Sequence, residues 1–306
     1  MSDPDFIPPG ETGFDQVLGF TIADRHARGR VVRMGPALDE VLSAHEYPTA
    51  IRHLLAEALV LAALMGSLLK DTDSQLTMQA KSPGEPDDGI VDLLVCDYRQ
   101  GAVRGYVRHD AQRLAALGAF PTLAQLFGTG YLAITFDLAT TGQRYQGIVP
   151  IEGASLAEAC QSYFAQSEQV PTLIRTGVRW DGQHCVAGGL LIQHLAEGEE
   201  GRERLHVRLD HPEWEHVAVM AGSLRHEELV DPALSLEALV WRLFHEEREV
   251  RVEPLAPLSR GCRCSEQHYR ELIGRFSEED RVEMRDEDGH IAVDCAFCSK
   301  IFKIDL

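Results

Sequence analysis

Four of the seven cysteines crowd into residues 261–306. Cys262-Arg263-Cys264 opens that segment, Cys295-Ala296-Phe297-Cys298 closes it, and thirty residues separate the pairs. Two thiolates per knuckle and two knuckles make the four-sulfur tetrahedral set that zinc favours in closed structural sites. The segment has 46 residues, close to the size below which a domain needs a staple. A structural zinc contributes roughly 10–16 kcal/mol of apparent binding free energy in such folds, whereas whole domains are stable by only about 5–15 kcal/mol. The expectation is a module that is folded with zinc and largely unfolded without it. The same sulfurs have redox chemistry, because the thiolate is the form that oxidants attack. Without metal each pair can close on its neighbour. A ring closed across one intervening residue is small, strained and easily reduced again. That suits a reversible switch, although a permanently metallated site and a plain disulfide framework fit the same spacing. Four cysteines allow three pairings, and spacing does not choose among them.

The elements that must position these sulfurs are legible nearby. Ile291-Ala292-Val293 and Ile301-Phe302-Lys303-Ile304 read as two strands of a hairpin flanking the second knuckle. Gly261 eases the sharp bend that Cys-x-Cys needs. Tyr269, Leu272, Ile273 and Phe276 have helical spacing, and Ser277 with Asp280 marks the start of another short helix. His268 and His290 lie close in sequence, but four thiolates complete a zinc shell, so both are expected in solvent.

Residues 1–13 are rich in Pro, Gly and Asp and read as a loose end. A strand pair is expected over 14–32 and a short helix over 38–45, broken by Tyr47-Pro48. The longest helical pattern spans 49–70, with Ile51, Leu54, Leu55, Ala58, Leu59, Ala62 and Leu68 on one face. A helix so apolar is expected at the centre of the core. Residues 75–154 change to strand periodicity, with turns at Pro83-Gly84, Gln100-Gly101, Gly128-Thr129-Gly130 and Thr141-Gly142. A helix over 155–168 and strands over 172–179 and 189–195 follow. Strands in bulk, a few long helices and no βαβ alternation say α+β. In 197–253 the composition shifts to 15 acidic residues against 7 Arg and no Lys. Two or three marginal helices are expected there, dependent on packing. The division is 1–196 as an α+β core, 197–256 as an acidic helical linker and 257–306 as the zinc module.

Apolar residues make up 44 % of the 306, enough for a substantial core, and the net charge is −19. That charge repels phosphate backbones and argues against nucleic acid as a partner. It also keeps a protein with exposed apolar surface in solution. The acidic start, Met1-Ser2-Asp3-Pro4-Asp5, has no apolar core of a signal peptide. The most apolar stretch, 54–65, is short and carries Glu57, so no membrane span is expected. Cys96, Cys160 and Cys185 are scattered and odd in number, which fits buried, inert thiols in a reducing cytosol. Gly-x-Ser-x-Gly, His-Glu-x-x-His and a Walker loop are all missing from the sequence. His245-Glu246-Glu247 lacks a zincin's second histidine, and four thiolates leave no open position for a metal-dependent hydrolase. No catalytic residue is assigned.

Cys-x-Cys, about thirty residues, then Cys-x-x-Cys resembles the heat shock protein 33 family of redox-regulated chaperones. The likeness extends through His45-Glu-Tyr-Pro48 and the helix after it, then Gly128-Thr-Gly-Tyr131 followed by Gly142-Gln-Arg-Tyr-Gln-Gly147. It continues with Tyr163-Phe164 before Ser167-Glu168-Gln169 and Pro171, then Ala187-Gly188-Gly189. Trp241-Arg242-Leu243-Phe244-His245-Glu246-Glu247 completes it, in the family's order across nearly the whole chain. The resemblance implies a cytoplasmic holdase and no enzyme, inactive while reduced with one Zn2+ on Cys262, Cys264, Cys295 and Cys298. It implies that peroxide or hypochlorite, with unfolding stress, expels zinc and forms Cys262–Cys264 and Cys295–Cys298. The module then unfolds, the linker loosens, and the protein dimerises and holds unfolding clients without ATP. From the residues alone, a competing expectation is a zinc-ribbon module that recruits a protein partner constitutively.

Overall fold

The computed structural model describes residues 13–71, 73–83, 89–195 and 211–305. Strands β1 (Gln16–Ile22) and β2 (Ala27–Met34) form an antiparallel hairpin, joined by a 3-10 turn that ends on His26 at φ 47°. Helix α1 (Pro36–Leu42) starts on a proline, whose missing N–H is no loss at that position. Pro48 then breaks the chain and α2 (Thr49–Gly66) begins.

The second strand group follows as β3 (Gln75–Lys81), β4 (Val91–Arg99) and β5 (Ala102–His109). Two short helices, α3 (Ala111–Ala115) and α4 (Leu123–Phe127), lie before β6 (Tyr131–Leu138) and β7 (Gln143–Pro150). These helices interrupt what reads as continuous strand periodicity; Asp110 caps one and a Thr122–Gln125 capping box starts the other. Helix α5 (Leu156–Tyr163) is shorter than its apolar pattern. Residues Phe164–Glu168 widen into a π turn that ends on Gln169 in the left-handed region. Strands β8 (Thr172–Trp180) and β9 (Cys185–His194) return the chain to the first sheet.

Then come α6 (Pro212–Gly222), α7 (His226–Leu229), α8 (Leu236–Phe244), β10 (Val250–Pro254) and β11 (Ser259–Arg260). The end of the chain supplies α9 (Glu266–Ile273), α10 (Glu278–Glu283), β12 (Ile291–Asp294) and β13 (Ile301–Ile304).

The strands make two large sheets and a small hairpin. The first runs β10-β1-β2-β9-β8, the second β11-β5-β4-β3-β6-β7, and β12 pairs with β13. Helix α2 lies between the large sheets, against β2, β8 and β9 on one side and β3, β4 and β5 on the other. Helices α6, α7 and α8 cover the far face of the first sheet. The architecture is α+β in layers: sheet, helix, sheet, helices. Helix α2 has the length and composition to cross a membrane, but 72 % of it is buried between the sheets, which is what its all-round apolar character requires. Glu57 is accommodated there by accepting hydrogen bonds from Thr176 Oγ1 at 3.1 Å and the Ala157 N–H at 3.3 Å.

Helices α6–α8 are anchored more firmly than their acidic sequence suggests. Trp214, Val217, Leu224, Leu236, Leu239 and Phe244 bury themselves against Leu18, Phe20, Ile22, Val31, Leu190 and Ile192. Arg33, fully buried on β2, donates from Nε to the Leu229 carbonyl at 2.9 Å, from Nη1 to Leu234 at 2.6 Å and from Nη2 to Glu228 at 3.2 Å. Glu247 receives Arg25 Nε at 2.9 Å and His216 Nε2 at 2.8 Å. The stretch ends in a strand: Val250 and Val252 are β-branched, and β1 offers them an open edge. Residues 1–12 and the acidic run Glu197, Glu199, Glu200 and Glu203 lie outside the described residues.

Candidate metal centre and its docking surface

Chain leaving β10 crosses from one sheet to the other. Leu258 N–H donates to Asp15, Ser259 N–H to Gly101 and Gly261 N–H to Val103, so β11 lies parallel along the edge of β5. Gly261 is required for proximity rather than bending: a Cβ there would stand 2.4 Å from Ala102 Cβ. Cys262 and Cys264 follow at once. At the second knuckle, the Cys295 carbonyl accepts the N–H groups of Cys298 at 3.1 Å and Ser299 at 2.7 Å. Ser299 adopts φ 55° to complete the turn, and β12 and β13 hold its two arms.

All four sulfurs converge. Sγ–Sγ separations are 3.3 Å for Cys262–Cys264, 3.6 Å for Cys262–Cys295 and 3.5 Å for Cys264–Cys298. A tetrahedral ion with metal–sulfur bonds of about 2.3 Å needs about 3.8 Å between ligands. The donor set therefore fits a thiophilic ion such as zinc with shifts of a few tenths of an ångström. The histidines stand apart, as expected: His268 is exposed, and His290 pairs with Asp305. Around the sulfurs the apolar support is small. Ile273, Ile291, Cys295, Phe302 and Ile304 are buried, with Tyr269 tilted against Phe302 at 5.1 Å between ring centres.

Among these thiols Cys295 differs from Cys262 and Cys264. Burial pushes the Cys262 and Cys264 thiols up. Burial also acts to raise Cys295. It is outweighed there by hydrogen bonds from the Tyr269 hydroxyl, the Phe297 N–H and the Cys262 and Cys298 thiols, which bring Cys295 down to about 7.

Sequence reasoning missed the residues between the sulfurs. Arg263, the middle of Cys-x-Cys, donates from Nη1 to Gln75 Oε1 at 2.8 Å and from Nη2 to Asp97 Oδ2 at 3.1 Å. Asp97 is buried and also receives Arg104, at 2.6 Å. Phe297, inside Cys-x-x-Cys, lies under the Arg104 guanidinium at 3.9 Å and edge-on to Tyr106 at 5.0 Å. Ser299 Oγ meets His45 Nδ1 at 3.0 Å. Each knuckle thus holds sulfur with its cysteines and the second sheet with what lies between them. One signal was present in the sequence: Asp97 interrupts the apolar run Leu93-Leu94-Val95-Cys96, and a carboxylate there needs partners.

Cys96, Cys160 and Cys185 are all fully buried in the α+β core. Burial drives each thiol up, Cys185 to about 12.

Known proteins resemble this chain along nearly its whole length. The chain is 41 % identical over 299 residues to the 33 kDa chaperonin of Caulobacter vibrioides, covering 95 % of each. It is 34 % identical over 294 residues to that of Photorhabdus laumondii, covering 95 % of this chain and 93 % of the relative. The crystal structure of the 33 kDa chaperonin from Thermotoga maritima shares the fold, with a TM-score of 0.76 over 94 % of each chain at 24 % identity. The family model described as Hsp33 protein matches residues 15–305, and the chain belongs to that family.

Proposed function

We propose that the chain is a redox-regulated holdase of the cytoplasm, inactive when reduced and zinc-bound. The observation that carries this reading is the double duty of the two knuckles: four convergent sulfurs, with Arg263 and Phe297 between them docked on Asp97, Arg104 and Tyr106. Zinc on Cys262, Cys264, Cys295 and Cys298 would fix the sulfurs as thiolates and tie both ends of the module together. Peroxide converts each pair to a disulfide, Cys262–Cys264 and Cys295–Cys298. Each pair of thiolates gives up two electrons, and one peroxide takes these with two protons from solvent and is reduced to two waters. The donor set is then dismantled and the metal released.

Loss of about 10–16 kcal/mol of metal binding is more than the five buried residues of the module can offset. Arg263 and Phe297 leave the second sheet as their knuckles change shape. Arg263, Phe297 and Ser299 tie the module to that sheet and to His45, and coupling to α6–α8 passes along the strap 250–260, whose strands β10 and β11 sit on the edges of both sheets. Peeling the strap loosens α6–α8 and uncovers the apolar face of Leu18, Phe20, Val31, Leu190 and Ile192. That face takes unfolding clients and supports dimer formation, without ATP. The matching division of the chain is 1–196 as chaperone core, 197–256 as responsive linker and 257–306 as redox switch. The names of the relatives support the chaperone role.

Light scattering from a thermally unfolding client tests the proposal, with reduced and peroxide-treated protein compared and zinc release followed in parallel. Suppression of scattering that rises as zinc leaves is the expected result. Equal suppression in both states would overturn redox control in favour of a constitutive binding module.

A further inference from the structure

We propose that His194, His211 and Glu213 form a second divalent-cation site, of the zinc class, that clamps the end of β9 to the start of α6. His194 is the last residue of β9 and 2 % exposed, and neither of its ring nitrogens meets a hydrogen-bond partner among the described residues. The same holds for the buried Oε2 of Glu213. Buried imidazole and carboxylate atoms are rarely left this way, because each has given up water and received nothing. The potential ligand atoms of His194, His211 and Glu213 lie within 4.8 Å of one another. The two imidazole rings face each other at 5.0 Å with a 39° tilt, and Trp214 closes one side of His194 at 6.2 Å. Bonds of about 2.0–2.2 Å to nitrogen and oxygen place ligand atoms about 3.4 Å apart, so modest side-chain rotations draw the three donors onto one ion.

Two histidines and one glutamate leave a fourth position for water, unlike the closed four-sulfur set. No thiolate takes part, so peroxide has no donor to oxidise there. His194 and His211 are seventeen residues apart in the sequence, and one ion would join both ends of the segment between them.

Cobalt distinguishes the two sites in the full-length reduced protein. The expected result is two metal equivalents per chain. The first gives intense thiolate-to-cobalt charge transfer. The second gives only weak d–d bands, with no thiolate-to-cobalt charge transfer. His211→Ala and Glu213→Gln should each weaken the second equivalent at least tenfold and leave the charge-transfer band unchanged. Both positions are partly exposed at the helix start, and the circular dichroism of each variant checks its fold. A native chain that binds a single equivalent, a second equivalent with sulfur character, or full second-site affinity in both variants would overturn the proposal. None of these readouts involves client binding, so the result bears on this site alone.

Discussion

Cys160 and Cys295 mark the extremes of the molecule. Cys160 sits on α5 with no exposure, and burial followed by the nearby Glu57 carboxylate holds its thiol up. Cys295, buried almost as deeply by surface area, is brought down to about 7 by four donors that outweigh burial. The contrast extends to the regions around them. The core around α2 is stabilised by apolar contact on every side: Ile51, Leu55, Leu59 and Met65 are fully buried between two sheets. No single chemical event removes it. The module of α9, α10 and the β12–β13 hairpin has five buried residues, one of them a cysteine. Its helices are largely exposed, with Leu272 and Val282 in solvent, as is Phe276 between them. The module therefore has far less apolar contact to hold it together than the core has. Burial alone makes a thiol inert; burial beside hydrogen-bond donors makes it reactive.

Four experiments would break or sharpen that contrast. Removing metal with a chelator under reducing conditions has the largest expected effect, about 10–16 kcal/mol on the module. Amides of α9, β12 and β13 should lose hydrogen-exchange protection while those of α2 keep theirs; joint loss would mean the two regions are one cooperative unit. Leu59→Ala should cost about 2–5 kcal/mol of core stability, read as a lower urea midpoint with unchanged zinc content. Asp97→Ala removes the carboxylate shared by Arg104 and Arg263, worth about 1–3 kcal/mol. The expected outcome is a lower peroxide dose for half-maximal client holding with zinc affinity unaltered, and an unshifted dose would separate docking from sensing. Cys185→Ala should leave the peroxide response where it was, because its thiol, near 12, is protonated at neutral pH. A shifted response would give the core thiols a redox role.

Periodicity made much of this legible. Helix α2 announces itself by apolar residues on every face, and the alternation in Leu76-Thr77-Met78-Gln79-Ala80 gives β3 its buried side. The sulfur cluster was readable because two tight pairs at that spacing have few other uses. What escaped depends on partners distant in sequence. Strand β11 is two residues long and exists because the edge of β5 is there to receive it. Strand β10 lies in a stretch whose charge density reads as linker, and only the edge of β1 makes it a strand. Arg33 sits in the apolar run Val31-Val32-Arg33-Met34, but its three carbonyl partners are about two hundred residues away. In sequence Arg263 and Phe297 are only the residues between cysteines, since counting that gap says nothing about what fills it.

Those two spacers carry a consequence for speed and for tuning. If the proposed disulfides form, detection and undocking of the knuckles would share the same few peptide units, and only the strap would have to carry the signal onward. Closing a ring around Arg263 or Phe297 would displace the side chain that grips the sheet in the same event. The set point of the response should accordingly be adjustable by substitutions within a residue or two of the sulfurs, and by their direct counterparts Asp97 and Tyr106, rather than along an extended pathway through the fold.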